Sequence, residues 1–368
     1  MKDLRILYIE DDRENREGLI DLLSGLVINN CKITIEGEES FETATQKICN
    51  EGFHLVILDL YKGRADVDGE MLGLTTLENV KSRIFVPIIF YSGNTAAVRY
   101  LKSQVVGVAT KGEGGIEELK SEITRLTLHN LPFINEKVHE FINCKIKDYF
   151  WGIIQENNTK FKPDDNDHSL GYLLLRNISD SLSRDNIYKL LEDNTISPDK
   201  VHPMEFYVYP RDIRAEYENG DIIEHKESKD VYVILTPSCD FVQVEGRERK
   251  AKKILLAKSL LLTNMSEFIK YKDSKNKQNK KELVKILNSS KTDRYFFIPS
   301  TPFIENRVID FQDKVMLTYD ELKSQFIRIA KLDSPYAQSM TASFIRYYSR
   351  IGFPDLDITY VMDRIDNL

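Results

Sequence analysis

Two hydrophobic patterns alternate along the first third of the chain. Short apolar runs, such as Leu-Val-Ile-Leu at 55–58, are separated by stretches in which apolar residues recur every three or four positions. The first pattern is typical of a strand buried on both faces of a sheet, and the second of a helix with one face on a core. The pattern predicts five strands, each followed by a helix. The strands are expected at residues 4–9, 32–36, 54–60, 86–91 and 105–110.

This alternation predicts an α/β fold of (βα)₅ type, in which helices cover both faces of a parallel sheet. After residue 128 the pattern becomes helical, with helices expected within 134–153, 170–176 and 187–191. We therefore divide the chain into a first domain at 1–128, a helical connector at 129–200 and an output domain at 201–368.

The output domain is predicted to be α+β. Apolar and polar residues alternate around 204–209, and buried strands are expected at 230–236 and 295–299. Residues 252–262 fit either a strand or a helix. These segments indicate a small antiparallel β unit, for which a barrel is one option, with flanking helices. The end of this region, 319–351, is expected to be helical.

Polar side chains stand at the ends of four of the predicted parallel strands. Glu10 and Asp11 follow strand one, Asp59 ends strand three, and Ser92 and Lys111 follow strands four and five. Because the carboxyl ends of parallel strands share one edge, these side chains should meet there. Carboxylates on adjacent strands suit Mg²⁺, and an aspartate can act as a phosphoryl nucleophile. Solvated strand ends are the alternative interpretation, but five such residues at the right ends favour a site.

This arrangement resembles the receiver domain of two-component response regulators over about residues 3–128. The resemblance implies a doubly wound, flavodoxin-like fold, bound Mg²⁺ and a histidine kinase or phosphotransfer protein as partner. It also implies a role for each site residue. These roles are phospho-acceptor for Asp59, direct Mg²⁺ ligand for Asp11, ligand through water for Glu10, third ligand for the carbonyl of Tyr61, switch hydroxyl for Ser92, and phosphate-pairing lysine for Lys111.

Three features depart from the receiver pattern. The loop after Asp59 is about six residues longer than usual, Gly112 stands where a proline is usual, and Val108 replaces an aromatic switch residue. The acceptor chemistry is expected to be intact. The route of output stays open, since either the long loop replaces the aromatic switch or the receiver is a weak switch or a phosphate sink.

A possible thiol site lies in the output domain, at the end of a predicted strand. A catalytic Cys239 would need a base, and His202 or His225 could supply one. We favour the simpler interpretation of a small buried cysteine beside a capping Asp240.

A basic stretch spans residues 247–294, where 15 Lys or Arg stand against five Asp or Glu. Its centre, 270–281, is predicted to be a mobile loop, most simply a solvated one. It could also meet a phosphate backbone or an acidic partner, so a nucleic-acid partner is possible but not favoured. The aromatic residues at 347 and 348 lie at helical spacing and fit a core better than a ligand site.

The two-part arrangement is similar to a response-receiver family of bacterial conflict and antiphage two-component systems. Residues 236–240 and 349–355 carry this resemblance, which implies no activity. Two functions therefore stay open. The first is a signalling protein with a possible effector protein as partner. The second is a receiver-controlled effector enzyme, such as a nuclease that would hold metal on Asp221, Glu224 and Asp240.

Composition narrows the class of protein further. With 42% hydrophobic and 30% charged residues, the chain has the balance of a soluble globular protein. No apolar run approaches the ~18 residues of a membrane helix, and no signal peptide opens the chain. Its four cysteines are scattered, which suggests neither a disulfide framework nor a zinc site. Its net charge of −7 argues against non-specific binding of nucleic acid by the whole protein surface. We expect a cytoplasmic protein without membrane contact.

Overall fold

The computed structural model describes residues 1–63, 70–128, 130–157, 168–192, 200–212, 214–243, 249–350 and 356–367. The chain forms two compact units, a first unit at Met1–Thr195 and a second unit at Ile196–Leu368. The predicted connector falls almost entirely within the first unit. The finer division at residue 128 stays a prediction.

The first unit is built on a six-stranded sheet. Its strands are β1 (Lys2–Ile9), β2 (Val27–Ile28), β3 (Cys31–Glu38), β4 (Leu55–Leu58), β5 (Ile88–Ser92) and β6 (Val106–Thr110). They lie in the order β2-β3-β1-β4-β5-β6, and every pair is parallel except β2 with β3. Without the two-residue β2, which sequence analysis missed, this is the flavodoxin-like strand order. The predicted parallel (βα)₅ sheet is confirmed.

Helices cover both faces of this sheet. They are α1 (Arg13–Leu23), α2 (Phe41–Glu51), α3 (Leu72–Lys81) and α4 (Gly115–Thr127), and a 3₁₀ segment at Ala96–Leu101 stands where the fourth helix was expected. Leucines of α1 and α4 belong to one apolar core, whereas α2 and α3 pack into the core on the opposite face. The sheet is therefore doubly wound, as predicted.

Three more helices follow in the described residues of the first unit. Helix α5 (Leu131–Lys147) continues as a π-helix at Asp148–Ile154, and α6 (Ser169–Ser181) and α7 (Arg184–Leu191) follow. Phe133 of α5 is buried in the core that contains α1 and α4. His54, just before β4, lies 4.8 Å from the Phe133 ring and 3.0 Å from the Glu136 carboxylate. Residues 158–167, between the π-helix and α6, lie outside the described part.

The second unit contains a seven-stranded antiparallel sheet. Its strands are β7 (Tyr207–Val208), β8 (Asp221–His225), β9 (Val231–Ile234), β10 (Ile254–Leu261), β11 (Tyr295–Ile298), β12 (Arg307–Leu317) and β13 (Phe326–Leu332). They lie in the order β11-β12-β10-β9-β8-β13-β7. The antiparallel unit is thus larger than predicted and open, since β7 and β11 do not pair within the described residues. The ambiguous segment around 252–262 is the interior strand β10, which lies between β12 and β9.

The second unit also contains five helices in its described residues. They are α8 (Ser266–Asp273), α9 (Lys277–Leu287), α10 (Tyr319–Gln325), α11 (Tyr336–Tyr348) and α12 (Ile358–Asp366). Met340 of α11 packs into one apolar core and Leu322 of α10 into the core on the other face. The flanking helices expected for the output region are therefore present.

Two predictions for this unit are wrong. Residues 319–351 are not helical throughout, because the chain leaves α10 at Phe326 and pairs as β13 with β8. A bulge between Arg328 and Ala330 disturbs the period-2 burial that would have marked a strand. The centre of the basic stretch is not a loop but the helices α8 and α9, which bury Leu283 and Ile286.

In the described part of the chain, no helix has both the length and the apolar character needed to cross a membrane.

Candidate functional site

Two carboxylates meet where the central strands of the first unit end. Strands β1 and β4 pair with Ile9 opposite Leu58, so Glu10 and Asp59 leave neighbouring strands at the same level. The amide of Asp59 donates to the carbonyl of Ile9 over 2.9 Å. Glu10 is 1% exposed and Asp59 is 8% exposed. Burying two carboxylates side by side is costly unless a cation compensates them.

Lys111 supplies that positive charge. Its amine lies 2.5 Å from Oδ2 of Asp59 and also contacts Oε2 of Glu10. Burial alone would favour the neutral amine, but the negative charges of Asp59 and Glu10 outweigh burial and raise the pKa of Lys111. The lysine is placed by β6, since its amide donates to the Ser92 carbonyl on β5 over 2.9 Å. The amine is thus charged and bridges both carboxylates.

Tyr8 is a site residue that sequence analysis missed. Its hydroxyl donates to Oε2 of Glu10 over 2.6 Å, the same oxygen that Lys111 contacts. The Tyr8 ring is fully buried, and burial together with the Glu10 charge raises the pKa of its hydroxyl. Burial also raises the pKa of Glu10, against the opposing effect of Lys111. The sequence signal was there, because period 2 places Tyr8 and Glu10 on the same face of β1.

The remaining oxygens are held by the segment that follows β4. Oδ1 of Asp59 accepts from the amides of Leu60 at 2.6 Å and Tyr61 at 3.4 Å. Oδ2 of Asp11 accepts from the Gly63 amide at 2.8 Å. Both carboxylates therefore contact the start of the long loop. Residues 64–69 of that loop lie outside the described part, so its predicted role stays a prediction.

Ser92 ends β5, between the strands that carry Asp59 and Lys111, and is buried. It lies opposite Thr110 of β6, whose hydroxyl is 2.9 Å from that of Thr95. Val108 is buried in the core with α2 and α3. The five strand-end residues predicted from sequence thus follow adjacent strands at one edge of the sheet.

Two glycines shape the backbone beside the site. A Cβ on Gly73, at the start of α3, would lie 2.6 Å from the carbonyl oxygen of Asp59, so only glycine allows this close packing. Gly112 has a φ of +129°, which lets the chain turn directly after Lys111 without the proline usual in receivers.

The Mg²⁺ site predicted on Glu10, Asp11, Asp59 and Tyr61 stays a prediction. Within the described residues, no three His, Cys, Asp or Glu side chains converge closely enough to hold a metal. Glu10 is turned to Tyr8 and Lys111. The hard oxygen ligands that suit Mg²⁺ are those of Asp11, Asp59 and the Tyr61 carbonyl. Such a small set fits a site in which several waters complete the coordination of the ion.

The possible thiol site of the second unit is not assembled. The expectation of a buried cysteine is wrong, because Cys239 is exposed at the surface, with its thiol 3.7 Å from Asp240. Nδ1 of His202 accepts from the Met204 amide, and Nδ1 of His225 accepts from backbone amides of its own turn. Neither histidine contacts the thiol within the described residues. The neighbouring Ser238 hydroxyl accepts from the Asn219 amide at 3.0 Å, so this stretch holds two turns together.

The carboxylates considered for a nuclease do not converge either. Asp221 and Glu224 stand three residues apart on β8, so they face opposite sides of a sheet whose two faces are both covered. Asp221 is fully buried, 3.4 Å from Arg328 and 3.7 Å from Arg211. Burial raises the pKa of Asp221 to about 6, against the pull of both arginines. This cluster joins β8 and β13 and has no open metal position in the described residues.

The aromatic residues near the end of α11 pack against β12. The Phe344 ring lies 5.5 Å from Phe311, and the Tyr348 hydroxyl donates to the Phe311 carbonyl over 2.9 Å. Tyr347 contacts Gln312. The core interpretation holds for the partly buried Tyr347, whereas Tyr348 is 49% exposed. Residues 351–355 of the adjoining stretch lie outside the described part.

Several solved structures are similar to part of this chain. One is the N-terminal domain of a response regulator/sensory box/GGDEF 3-domain protein from Carboxydothermus hydrogenoformans, at 18% identity over 33% of this chain and 93% of that chain, with a TM-score of 0.25. A two component transcriptional regulator AraC from Clostridium phytofermentans ISDg is 24% identical over 34% of this chain and 96% of that chain, with a TM-score of 0.25. The RcsB response regulator of Salmonella typhimurium is 17% identical over 47% of this chain and 98% of that chain, with a TM-score of 0.25.

No protein-family model matches the chain, and no curated protein matches it. Because the TM-scores of these similarities are low, the assignment of a flavodoxin-like fold rests on the strand order and the helical crossovers described above.

Proposed function

We propose that this protein is a two-component response regulator that accepts a phosphoryl group on Asp59. One observation carries the proposal: Lys111 bridges Asp59 and Glu10 at the carboxyl edge of a parallel sheet. A charged lysine placed on an aspartate can stabilise the negative oxygens of an incoming phosphoryl group. The receiver resemblance of the sequence agrees with this chemistry.

The transfer itself forms one bond and breaks one. An oxygen of the Asp59 carboxylate attacks phosphorus, the P–N bond to a donor phosphohistidine breaks, and the histidine keeps the electron pair. Oδ1 of Asp59 is held by the amides of Leu60 and Tyr61, and Oδ2 faces Lys111. The proposed Mg²⁺ ligands are Asp11, Asp59 and the Tyr61 carbonyl, with Glu10 acting through water. Bound there, Mg²⁺ would neutralise phosphoryl oxygens.

Ser92 is proposed as the hydroxyl that binds a phosphoryl oxygen, since it ends the strand beside Asp59. The donor is proposed to be a histidine kinase or a phosphotransfer protein. The second unit then signals to an effector protein, or the receiver acts as a phosphate sink. On the sequence resemblance we also propose a role in antiphage defence. Plaque counts in a host with the kinase and either the wild type or Asp59→Asn test that role.

The acceptor is tested with phosphate-affinity gels of the protein incubated with its kinase and ATP. The wild type should give a shifted band that depends on Mg²⁺, and Asp59→Asn should give none. Asp21→Asn, an exposed change on α1, is the matched control and should behave as wild type. A band that survives in Asp59→Asn would place the acceptor elsewhere, and a wild type that is never phosphorylated would refute the proposal.

A further inference from the structure

A concentration of positive charge lies on one helical hairpin of the second unit. The lysine hairpin, defined as α8, α9 and the linking residues 274–276, carries seven Lys against three Asp or Glu. The first unit has 23 Lys or Arg against 32 Asp or Glu, whereas the second unit has 28 against 26. The net negative charge of the protein therefore comes from the first unit. The hairpin belongs to the second unit, whose net charge is slightly positive and does not repel anions.

Most of these lysines are free to meet a partner. Within the described residues, no carboxylate lies within ion-pair distance of six of them, and the seventh, Lys285, pairs with Glu282 at 2.7 Å. All six are exposed. They are Lys270, Lys272, Lys275, Lys277, Lys280 and Lys281.

The hairpin presents these charges from a fixed backbone. Leu283 and Ile286 are buried against Val308 of β12, which anchors α9 to the sheet. Asn276 caps α9 by accepting from the Asn279 amide at 2.8 Å. The Asn279 side chain in turn donates to the carbonyls of Lys270 and Ser274, at 2.9 and 2.8 Å. This closes the end of α8 onto the start of α9, so little order remains to be gained on binding.

The side chains at the turn indicate the kind of partner. All eight residues from 274 to 281 are polar, namely Ser, Lys, Asn, Lys, Gln, Asn, Lys and Lys. A helix that lies in a lipid surface inserts an apolar face into the bilayer, and this turn has no such face. Lysines with interspersed amides and hydroxyls are instead the side chains that contact phosphate and sugar of nucleic acids.

The dimensions fit a duplex as well. The 11 residues of α9 span about 16 Å at 1.5 Å per residue. A DNA duplex carries one negative charge per about 1.7 Å of axis, so several phosphates face a surface of this length. We propose that the lysine hairpin binds the phosphate backbone of a nucleic-acid duplex without sequence preference. This proposal does not depend on phosphorylation of Asp59.

The test measures anisotropy of a labelled DNA duplex of about 20 base pairs with the full chain, at several salt concentrations from about 50 to 200 mM. An RNA duplex of equal length forms a second arm, and anionic phosphatidylserine vesicles form a third. The variant changes four exposed lysines of the hairpin to glutamine. They are Lys270, Lys277, Lys280 and Lys281.

In the hairpin variant, the slope of log K against log salt should be less steep than in the wild type by about 3 to 4, since each lost phosphate contact removes about 0.9 from its magnitude. Affinity at the lowest salt should fall at least tenfold, while the melting temperature stays within about 2 °C, because changes at exposed positions alter stability little. The control variant removes the same charge from exposed lysines outside the hairpin and should keep the slope of the wild type. Its positions are Lys32, Lys147, Lys189 and Lys323.

Binding of either duplex that is lost only in the hairpin variant supports the proposal. Three results would overturn it: no duplex binding by the wild type at about 50 mM salt, equal losses in both variants, or binding to the vesicles but to neither duplex.

Discussion

Replacing Lys111 by methionine tests the electrostatic organisation of the site without any partner. Methionine keeps a long flexible side chain but removes the charge that bridges Glu10 and Asp59. Both carboxylates are almost fully buried, so the variant leaves two negative charges without their counter-ion. We expect a marked loss of stability of the first unit when metal is chelated.

The magnitude follows from the burial of the pair. Removing one partner of a buried ion pair costs about 3 to 5 kcal/mol. The Lys111 side chain is 19% exposed, and Glu10 already has a raised pKa and can take up a proton, so the lower end of about 3 kcal/mol applies. For a unit of 195 residues, each kcal/mol shifts the melting temperature by about 2 to 4 °C. The expected decrease is therefore about 6 to 12 °C.

The assay is a thermal melt in chelator and in Mg²⁺. Lys120→Met is the matched control, because Lys120 forms only an exposed pair with Glu117 at 2.8 Å and should cost less than about 0.5 kcal/mol. Mg²⁺ should raise the melting temperature of Lys111→Met more than that of the wild type, since it replaces the missing charge. Adding Glu10→Gln to Lys111→Met should recover part of the loss. If Lys111→Met melts like Lys120→Met in chelator, the bridge does not stabilise the fold.

Three further predictions concern buried polar groups and metal. Tyr8→Phe removes the hydrogen bond to Glu10 and should lower the stability of the first unit by about 1.5 to 3 kcal/mol in urea unfolding, whereas the exposed Tyr100→Phe should have no effect. Mg²⁺ should raise the melting temperature of the wild type but hardly that of Asp11→Ala, and equal shifts would remove Asp11 from the ligand set. The pKa of Asp221 is raised from 3.8 in the unfolded chain to about 6, so its contribution to stability is full below pH 4 and is lost as pH rises through about 6. Between pH 4 and 7, the stability of the second unit should therefore fall by about 3 kcal/mol less in Asp221→Asn than in the wild type, as measured by calorimetry at several pH values. The same pH dependence in both proteins would show that Asp221 does not cause it.

Much of the first unit could be predicted from its sequence, because its structure is encoded locally. Each parallel strand buried on both faces is a continuous apolar run, and each crossover helix has its own amphipathic period. A strand and its following helix lie close in sequence, so strand ends can be identified directly. This is why Glu10, Asp59 and Lys111 were expected at one edge, where the structure has them.

The hydrogen bond of Tyr8 to Glu10 was not expected, although Glu10 directly follows the strand that contains Tyr8. Period 2 places the two side chains on the same face, but it does not show whether they meet. That depends on how far Glu10 is drawn inward by Lys111, which is 101 residues away in sequence. Side-chain direction at a strand end is therefore set by tertiary contacts, not by the strand itself.

The second unit shows the opposite balance of local and long-range information. Strand β13 forms because it pairs with β8 about 100 residues earlier, and its bulge hides the alternation that marks a strand. The lysine-rich segment was taken for a loop because charge dominates its composition, yet a few residues such as Leu283 and Ile286 bury enough surface to fold it as a helix. By itself, the sequence determined the parallel sheet and the residues at its edge, since both follow from local periodicity. Only the tertiary structure decided the antiparallel sheet and the helical form of the basic segment, because pairing between distant strands and burial of isolated side chains leave no local pattern.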